Sequence, residues 1–398
     1  MKNSTAVNMV IAQSGGPSMV INQSLVGAVV TAINQKKIGK IYGAVHGIDG
    51  ILNENFLDMR QYDEKKLIGV AQTPSSALGS VRKKPTEDDC KKIFEVLKKY
   101  DIGYFFYIGG NDSAETAHIV SEMAKKHKFP LKCFHIPKTI DNDLLQNDHT
   151  PGYGSAARYV AMAFMGDNLD NVALGGVKIN IVMGRHAGFL TAASALARQH
   201  DDDGPHLVYL PEVAFSMDKF LKDIKAVMKK YNRCVVAVSE GIADKSGKPI
   251  ATLLGGTEKD SHGNVQLSGT GALGDMLARE IKAKLGIKRV RADTFGYIQR
   301  SFPGVPSLSD RTDAFSVGET AVKIAVGGKF DCGSIAIKRL PGKKYKVKYE
   351  CVALKEVAGK TKTMPRSFIN RAGNNVTQEF LDYAAPLVGD LPKMERLI

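Results

Sequence analysis

The sequence predicts an α/β protein built on mostly parallel sheets, and three observations carry that reading. Short apolar runs alternate with longer amphipathic stretches, the pattern of repeated strand–helix units. Several of the apolar runs end on glycine and polar residues, the composition of loops at the carboxyl ends of parallel strands. After Pro151-Gly152-Tyr153-Gly154-Ser155 the alternation begins again, so a second lobe is expected.

Taken in order, strand 7–12 leads through Gln13-Ser14-Gly15-Gly16-Pro17 into a helix from about 19 to 34, followed by strand 41–45. Residues 73–84, with Gly79 and Arg82, read as a loop. Helix 87–100 precedes strand 104–108, and helix 114–126 precedes strand 133–136. The second series runs helix 156–168, strand 179–183, helix 188–198, strand 207–210, helix 218–231 and strand 235–239. The polar, glycine-rich stretch 243–264 is expected as a hairpin or exposed excursion. The lysine-rich tail from about Lys338, with short segments 346–349 and 351–354, is expected to add an edge hairpin.

A chain of 398 residues is long enough for two domains or one large two-lobed domain. Hydrophobic residues at 43% and charged residues at 24% lie near the globular average, so a substantial core is expected. The net charge is +14, with much of the excess in scattered pairs such as Lys36-Lys37, Lys98-Lys99 and Lys229-Lys230. Solvated helix faces and turns account for most such pairs, and the field they make would attract anionic metabolites. Nucleic acid is the rival partner, but there is no zinc-ligand spacing, basic arm or aromatic–basic stacking motif. The five cysteines are odd in number and widely spaced, which fits free thiols in a reducing compartment. The N-terminus enters a strand-like run almost at once, so no signal peptide is expected. No apolar run approaches the roughly 20 residues that cross a bilayer, and a soluble, cytoplasmic protein is expected.

Two strand-end loops hold most of the chemistry: Gly109-Gly110-Asn111-Asp112-Ser113 and Pro137-Lys138-Thr139-Ile140-Asp141-Asn142-Asp143. Without Cβ atoms, glycines let backbone amides approach a phosphate at a helix start, and Ser14-Gly15-Gly16 offers the same device. Gln13-Ser14-Gly15-Gly16 fits neither G-x-x-x-x-G-K-[ST] nor G-x-G-x-x-G, and a plain tight turn is the competing reading for it. Paired acids on loops are commonly solvated or capping residues. Here Lys138 and Thr139 stand just before them, and a hydroxyl attacking phosphorus needs a base, a metal and cations. Arg185 and Arg300 follow further strands, and arginine is the preferred planar donor to phosphate, although a surface ion pair would read alike. Glu240 ends an apolar strand and suits sugar hydroxyls, or equally a cap or salt bridge. His186 reads as packed or catalytic with equal ease.

Ser14-Gly15-Gly16-Pro17, the two loops above, Met183-Gly184-Arg185, Pro211-Glu212, Ser239-Glu240 and Tyr297-Ile298-Gln299-Arg300 together resemble the phosphofructokinase family. Order and approximate spacing match from near residue 7 to about 325, and the T-I-D-N-D loop with the M-G-R loop is the specific part. The resemblance implies two similar Rossmann-like lobes with mostly parallel sheets and the active site in the cleft between them. It places a phosphoryl-donor lobe at 1–152 plus about 299–355 and a sugar-phosphate lobe at 153–298 plus about 356–398. By the same resemblance Asp141 is the base for the sugar 1-hydroxyl, with Lys138, Asp112 and Arg185 also catalytic. Thr139, Ile140, Met183, Gly184, Glu240, Tyr297, Ile298, Gln299 and Arg300 bind sugar phosphate, Gly16 binds donor phosphate, and Arg82 reaches the transferred group. Arg291 matches an arginine that reaches a neighbouring subunit's sugar phosphate, which implies a homodimer or homotetramer. Lys178 stands two residues short of a basic partner position that precedes M-G-R, and is left open. Mg²⁺ is the implied cofactor, with Asp112 and Asp143 as its carboxylates; Asn111 replaces a frequent aspartate but retains a carbonyl oxygen.

Two positions bear on the donor. Members that use ATP resemble G-G-D-G-S and carry a small residue where Lys138 stands; here Asp112 takes the place of a glycine. A carboxylate ~4 Å from a nucleotide phosphate is repelled by about 4 kcal/mol at an effective dielectric of 20. Lys138 adds a cation for a transition state without a nucleoside. Both changes point to pyrophosphate as donor and fructose 6-phosphate as acceptor in a reversible reaction serving glycolysis and gluconeogenesis. An ATP-dependent 6-phosphofructokinase and a non-catalytic sugar-phosphate sensor are the alternatives.

Overall fold

The computed structural model describes residues 6–254, 271–342 and 344–397. Its strands are β1 (Val7–Gln13), β2 (Ile38–Ala44), β3 (Phe56–Asp58), β4 (Ile102–Gly109), β5 (Lys132–Pro137), β6 (Gly176–Val182), β7 (Leu207–Tyr209), β8 (Arg233–Ser239), β9 (Val290–Thr294), β10 (Cys332–Arg339) and β11 (Val347–Val352). The chain divides into two compact units, Met1–Gly152 with Leu308–Thr361 and Tyr153–Ser307 with Lys362–Ile398.

The first unit holds a sheet in the order β11-β10-β5-β4-β1-β2-β3. Pairings from β2 through β10 are parallel, and only the outermost strands run antiparallel. β4 reads Ile-Gly-Tyr-Phe-Phe-Tyr-Ile-Gly and is buried almost throughout, because helices cover both faces of a parallel sheet. One cluster (Met9, Ile11, Phe106, Phe134, Ile335) packs below it and another (Val10, Phe105, Tyr107, Cys133, Leu97) above. Helix Glu87–Lys99 begins on a Thr86–Asp89 capping box, carries acids in its first turn and ends on Lys98 and Lys99, all favourable to the helix dipole. Helices Ile21–Ile33 and Leu308–Gly327 bring their backbones together at two glycines. A Cβ on Gly27 would stand 2.2 Å from the Phe315 carbonyl oxygen, and one on Gly318 would stand 2.1 Å from that of Ser24. The sheet reverses its winding between β1 and β4, the place where open α/β sheets open a crevice at their carboxyl ends.

The second unit holds four parallel strands in the order β7-β8-β6-β9, over a core of Ile179, Ile181, Val236, Val238, Leu277 and Ile281. The segment expected as helix 188–198 is a short helix, Phe189–Ala192, continued by a 3-10 turn, Ala193–Ala197. Ser194 Oγ donates to Thr191 O at 2.6 Å, a local bond that competes with the helical ladder and tightens it. The two segments expected at 346–349 and 351–354 meet in one strand, β11 (Val347–Val352), the outer arm of an edge hairpin, and Leu354 begins a 3-10 turn. In the stretch expected as an excursion, Ala243 pairs with Pro249 across an Asp244 turn, while 255–264 lie outside the described residues. No described helix is long and apolar enough to cross a membrane.

Candidate active site

At the carboxyl end of β1, Gly15 takes φ 73°, a left-handed turn that glycine adopts freely. Gln13, buried at that end, bonds the Asn22 amide at 2.9 Å and accepts from Leu78 N at 2.9 Å. Asn22 in turn holds Thr73 O and Ala77 N, and Gly15 N donates to Val81 O. These bonds fasten the 73–84 loop, with its exposed Arg82, beside the first glycine turn. The side chains of Ser14 and Ser113 also share a hydrogen bond, joining the two strand-end loops.

Helix Asn111–Lys126 starts directly after β4 with Gly110 at its cap, no capping side chain, and exposed Asp112 in its first turn. Lys138 is only 3% exposed, and its ammonium donates to Gly16 O while lying 3.4 Å from where a Cβ on Gly15 would sit. A buried cation this close to a glycine turn has the chemistry of an anion cradle. His135, one turn of strand earlier on β5, is fully buried, and burial pushes its pKa down to about 4. Its Nε2 donates to Gly109 O at 2.9 Å and its Nδ1 accepts from Ser334 at 2.8 Å, so the neutral ring fixes the peptide between the twin glycines.

Lys138 begins a loop that returns at Gly152. Thr139 N donates to Pro151 O at 3.1 Å, Thr150 Oγ1 donates to Thr139 O at 2.9 Å, and Thr139 bridges to Gly152. Asp141 N is held by Thr139 Oγ1 at 3.1 Å, and Asn142 takes φ 59°, a left-handed conformation that asparagine tolerates. Asn111 Nδ2 donates to Asp143 Oδ2 at 2.9 Å, while the buried Asn111 Oδ1 has no hydrogen-bond partner among the described residues. Magnesium demands hard oxygens, keeps several waters and is usually held by one or two carboxylates plus substrate phosphates. Asn111 and Asp143 fit such an ion. No group of three or more His, Cys, Asp or Glu side chains is gathered for a metal among the described residues.

In the second unit the strand ends converge. After β6, Gly184 takes φ 143°, and a Cβ there would stand 2.7 Å from Ala187 O. Ser239 Oγ, at the end of β8, donates to Gly184 O at 2.6 Å, and buried Glu240 Oε1 accepts from Gly184 N at 3.4 Å. After β9, the fully buried Gln299 accepts from Met183 N at 3.3 Å and donates to Gly296 O at 2.7 Å, joining the two loops. The Arg300 guanidinium lies 4.5 Å from the centre of the exposed Tyr297 ring, and Ile298 beside them is exposed. Arg185 is half-buried in the same loop as Gly184, and Arg291 is exposed on β9. Lys178 lies within β6 and is ion-paired with Asp167 at 3.4 Å and with Asp293, so its charge is already matched. Glu212 accepts from Gly188 N at 2.8 Å and Met364 N at 3.0 Å, and burial raises its pKa.

The structure therefore brings Gly16, Lys138 and the two glycine turns together in the first unit. It brings Met183, Gly184, Glu240 and Gln299 together in the second. Sequence reasoning passed over Gln13, Asn22 and His135 as working residues. The only signal was a polar side chain inside an otherwise apolar strand or helix face.

The phosphofructokinase family profile matches residues 8–325. The pyrophosphate–fructose 6-phosphate 1-phosphotransferase of Rhodospirillum rubrum is 57% identical over 391 residues, covering 98% of this chain and 96% of its own. The enzyme of that name from Xanthomonas campestris pv. campestris is 39% identical over 395 residues, covering 97% and 92%. The crystal structure of a pyrophosphate-dependent phosphofructokinase from Nitrosospira multiformis matches with a TM-score of 0.86 at 33% identity, covering 99% of this chain and 95% of that one.

Proposed function

Because the chain belongs to the phosphofructokinase family, we propose that it transfers a phosphoryl group from pyrophosphate to the 1-hydroxyl of fructose 6-phosphate, reversibly, giving fructose 1,6-bisphosphate and phosphate. The observation that carries the donor assignment is the buried Lys138 ammonium against Gly16 O, a fixed cation beside a turn of backbone amides. Asp112 at the head of the next helix adds a negative charge that opposes a nucleotide's inner phosphate.

In this reading Asp141 accepts the proton of the 1-hydroxyl as oxygen attacks phosphorus, and Gly16, Lys138 and Arg82 hold the donor and meet its developing charge. Arg185 and Arg300 take the sugar phosphate, with Tyr297 supporting Arg300 through its ring face and Ile298 flanking it. Glu240 and the backbone of Met183 and Gly184 order the sugar, helped by Thr139 and Ile140. Gln299 sets the spacing of the two loops that carry them. Enzymes of this family use a divalent metal, and Mg²⁺ is the ion proposed, held by Asp143 and Asp112 with the Asn111 carbonyl. When bound, it would neutralise charge on the pyrophosphate.

The exposed Arg291 on β9 supports a homodimer or homotetramer, which light scattering would test. The five free cysteines support a cytoplasmic location. Steady-state rates with pyrophosphate and with ATP at matched Mg²⁺ test the donor, and faster turnover with ATP would refute it. Ligand binding with no turnover on either donor would leave a sugar-phosphate sensor instead.

A further inference from the structure

We infer that His149 is a positioning residue for the base Asp141: as a cation clamped between Asp148 and Asp313, it pins the return arm of the 138–152 loop. The inference rests on Asp141 being the base.

His149 is 1% exposed and lies where the loop comes back toward Gly152. Its Nδ1 faces Asp148 Oδ2 at 2.9 Å, and its Nε2 faces Asp313 Oδ2 at 2.9 Å and the Tyr345 hydroxyl at 3.0 Å. A neutral imidazole has one N–H, so one ring nitrogen would turn a lone pair toward a carboxylate; only the imidazolium donates to both. Burial alone would lower the pKa of this ring, but the hydrogen bonds to Asp148 and Asp313 hold it above the ordinary value. From the hairpin, Tyr345 and Tyr349 donate their hydroxyls to Asp313, the latter at 2.7 Å, and Arg339 Nε meets Asp148 Oδ2 at 3.0 Å. Both tyrosines are shifted upward, mainly by burial and by Asp313, so they remain neutral donors. The charged groups facing the ring are thus Asp148 on its own loop and Asp313 on helix Leu308–Gly327, with Arg339 of β10 behind Asp148.

The clamp reaches Asp141 through a short chain of bonds. Asp310, on the same helix as Asp313, accepts from Gly152 N at 2.8 Å. Thr150 and Pro151, the residues after His149, bond the backbone of Thr139, and Thr139 Oγ1 holds Asp141 N. Releasing the return arm therefore releases the peptide that aims Asp141. Loss of the His149 proton leaves the buried Asp313 and the partly buried Asp148 carboxylates facing a ring that can donate to one of them. Turnover is then limited on the alkaline side by deprotonation of His149.

Nitrogen NMR of the full-length protein with labelled histidine reads the ring directly, with Tyr345→Phe used to assign the signal because it removes the hydroxyl at Nε2. Both nitrogens are expected to be protonated at pH 7, and the ring to titrate above the ordinary histidine value. In parallel, kcat for pyrophosphate and fructose 6-phosphate is followed against pH in wild type and His149→Gln. The variant is expected to lose about 10- to 100-fold in kcat at pH 7 and to lose the alkaline limb, with KM for the sugar within about twofold. A purely structural histidine would lower the melting temperature but leave that limb in place. A neutral ring at pH 7, or a variant with wild-type kcat and limb, overturns the inference. Should His149→Gln not fold, a wild-type profile whose alkaline limb does not follow the NMR titration overturns it as well. Absence of any pyrophosphate turnover would instead refute the proposed function. The clamp would then be judged by amide exchange of 138–152, and exchange rates unchanged through the His149 titration would overturn it.

Discussion

Replacing Lys138 by methionine removes one positive charge while keeping most of the side chain's length and volume. The ammonium is 3% exposed, donates to Gly16 O and sits 3.4 Å from the Cβ position of Gly15. A phosphoryl oxygen resting at the Gly15–Gly16 turn would therefore lie roughly 4 Å from it, where a unit charge pair is worth about 4 kcal/mol at an effective dielectric near 20. Only the part that grows as charge moves onto the transferring group accelerates the reaction. If half to all of it is of that kind, the barrier rises by about 2–4 kcal/mol and kcat falls about 30- to 1,000-fold. The assay is kcat and KM for pyrophosphate with fructose 6-phosphate saturating. Burying methionine in place of an ammonium carries no charge desolvation, so the melting temperature should change little. A kcat within about threefold of wild type, with only KM raised, would refute the reasoning, since Lys138 would then bind ground and transition states alike.

Asp141→Asn should lower kcat by about 10²- to 10⁴-fold while leaving fructose 6-phosphate binding intact by calorimetry; lost binding instead would remove its role as base. Asp112→Gly combined with Lys138→Gly should raise kcat/KM for ATP relative to pyrophosphate, and no gain in that ratio would mean that another element blocks the nucleotide. Gly184→Ala puts a Cβ 2.7 Å from Ala187 O at φ 143°, so KM for fructose 6-phosphate should rise about tenfold, more than kcat falls. His135 is folded as a neutral ring with its pKa near 4, against 6.5 when unfolded. The unfolded chain binds the extra proton, so its share of stability is whole above pH 6.5 and drains away as pH falls toward 4. The loss is about 3 kcal/mol. Urea midpoints across that range should show a shallower acid loss in His135→Gln, and identical slopes would contradict the assignment.

The strands that bury both faces were readable because continuous apolar runs such as Ile102–Gly109 have few other uses. The strand-end loops were readable because glycines, a lysine and acids have distinct local chemistry. Helix Leu308–Gly327 escaped notice because its buried face is made mostly of small residues such as Ala314, Gly318, Ala321 and Ala325; its backbone meets that of Ile21–Ile33 at Gly27 and Gly318. The His149 cluster could not be read at all, since its partners Asp313 and Tyr345 stand 164 and 196 positions away. Gln13 and Asn22 were visible as polar residues, but their partners 65 and 55 positions away on an irregular loop follow no period. Tertiary pairing, not local pattern, decided each of these.

The bare seam at Gly27 and Gly318 makes one lever of two helices. Its near end follows the turn at Gly15 and Gly16; its far partner carries Asp310 and Asp313, the posts to which the base-bearing loop is tied. With backbone against backbone at the two glycines, displacement of one rod must carry the other. A single methyl wedged there, as in Gly318→Ala, would part them and leave the posts standing away from the turn they serve.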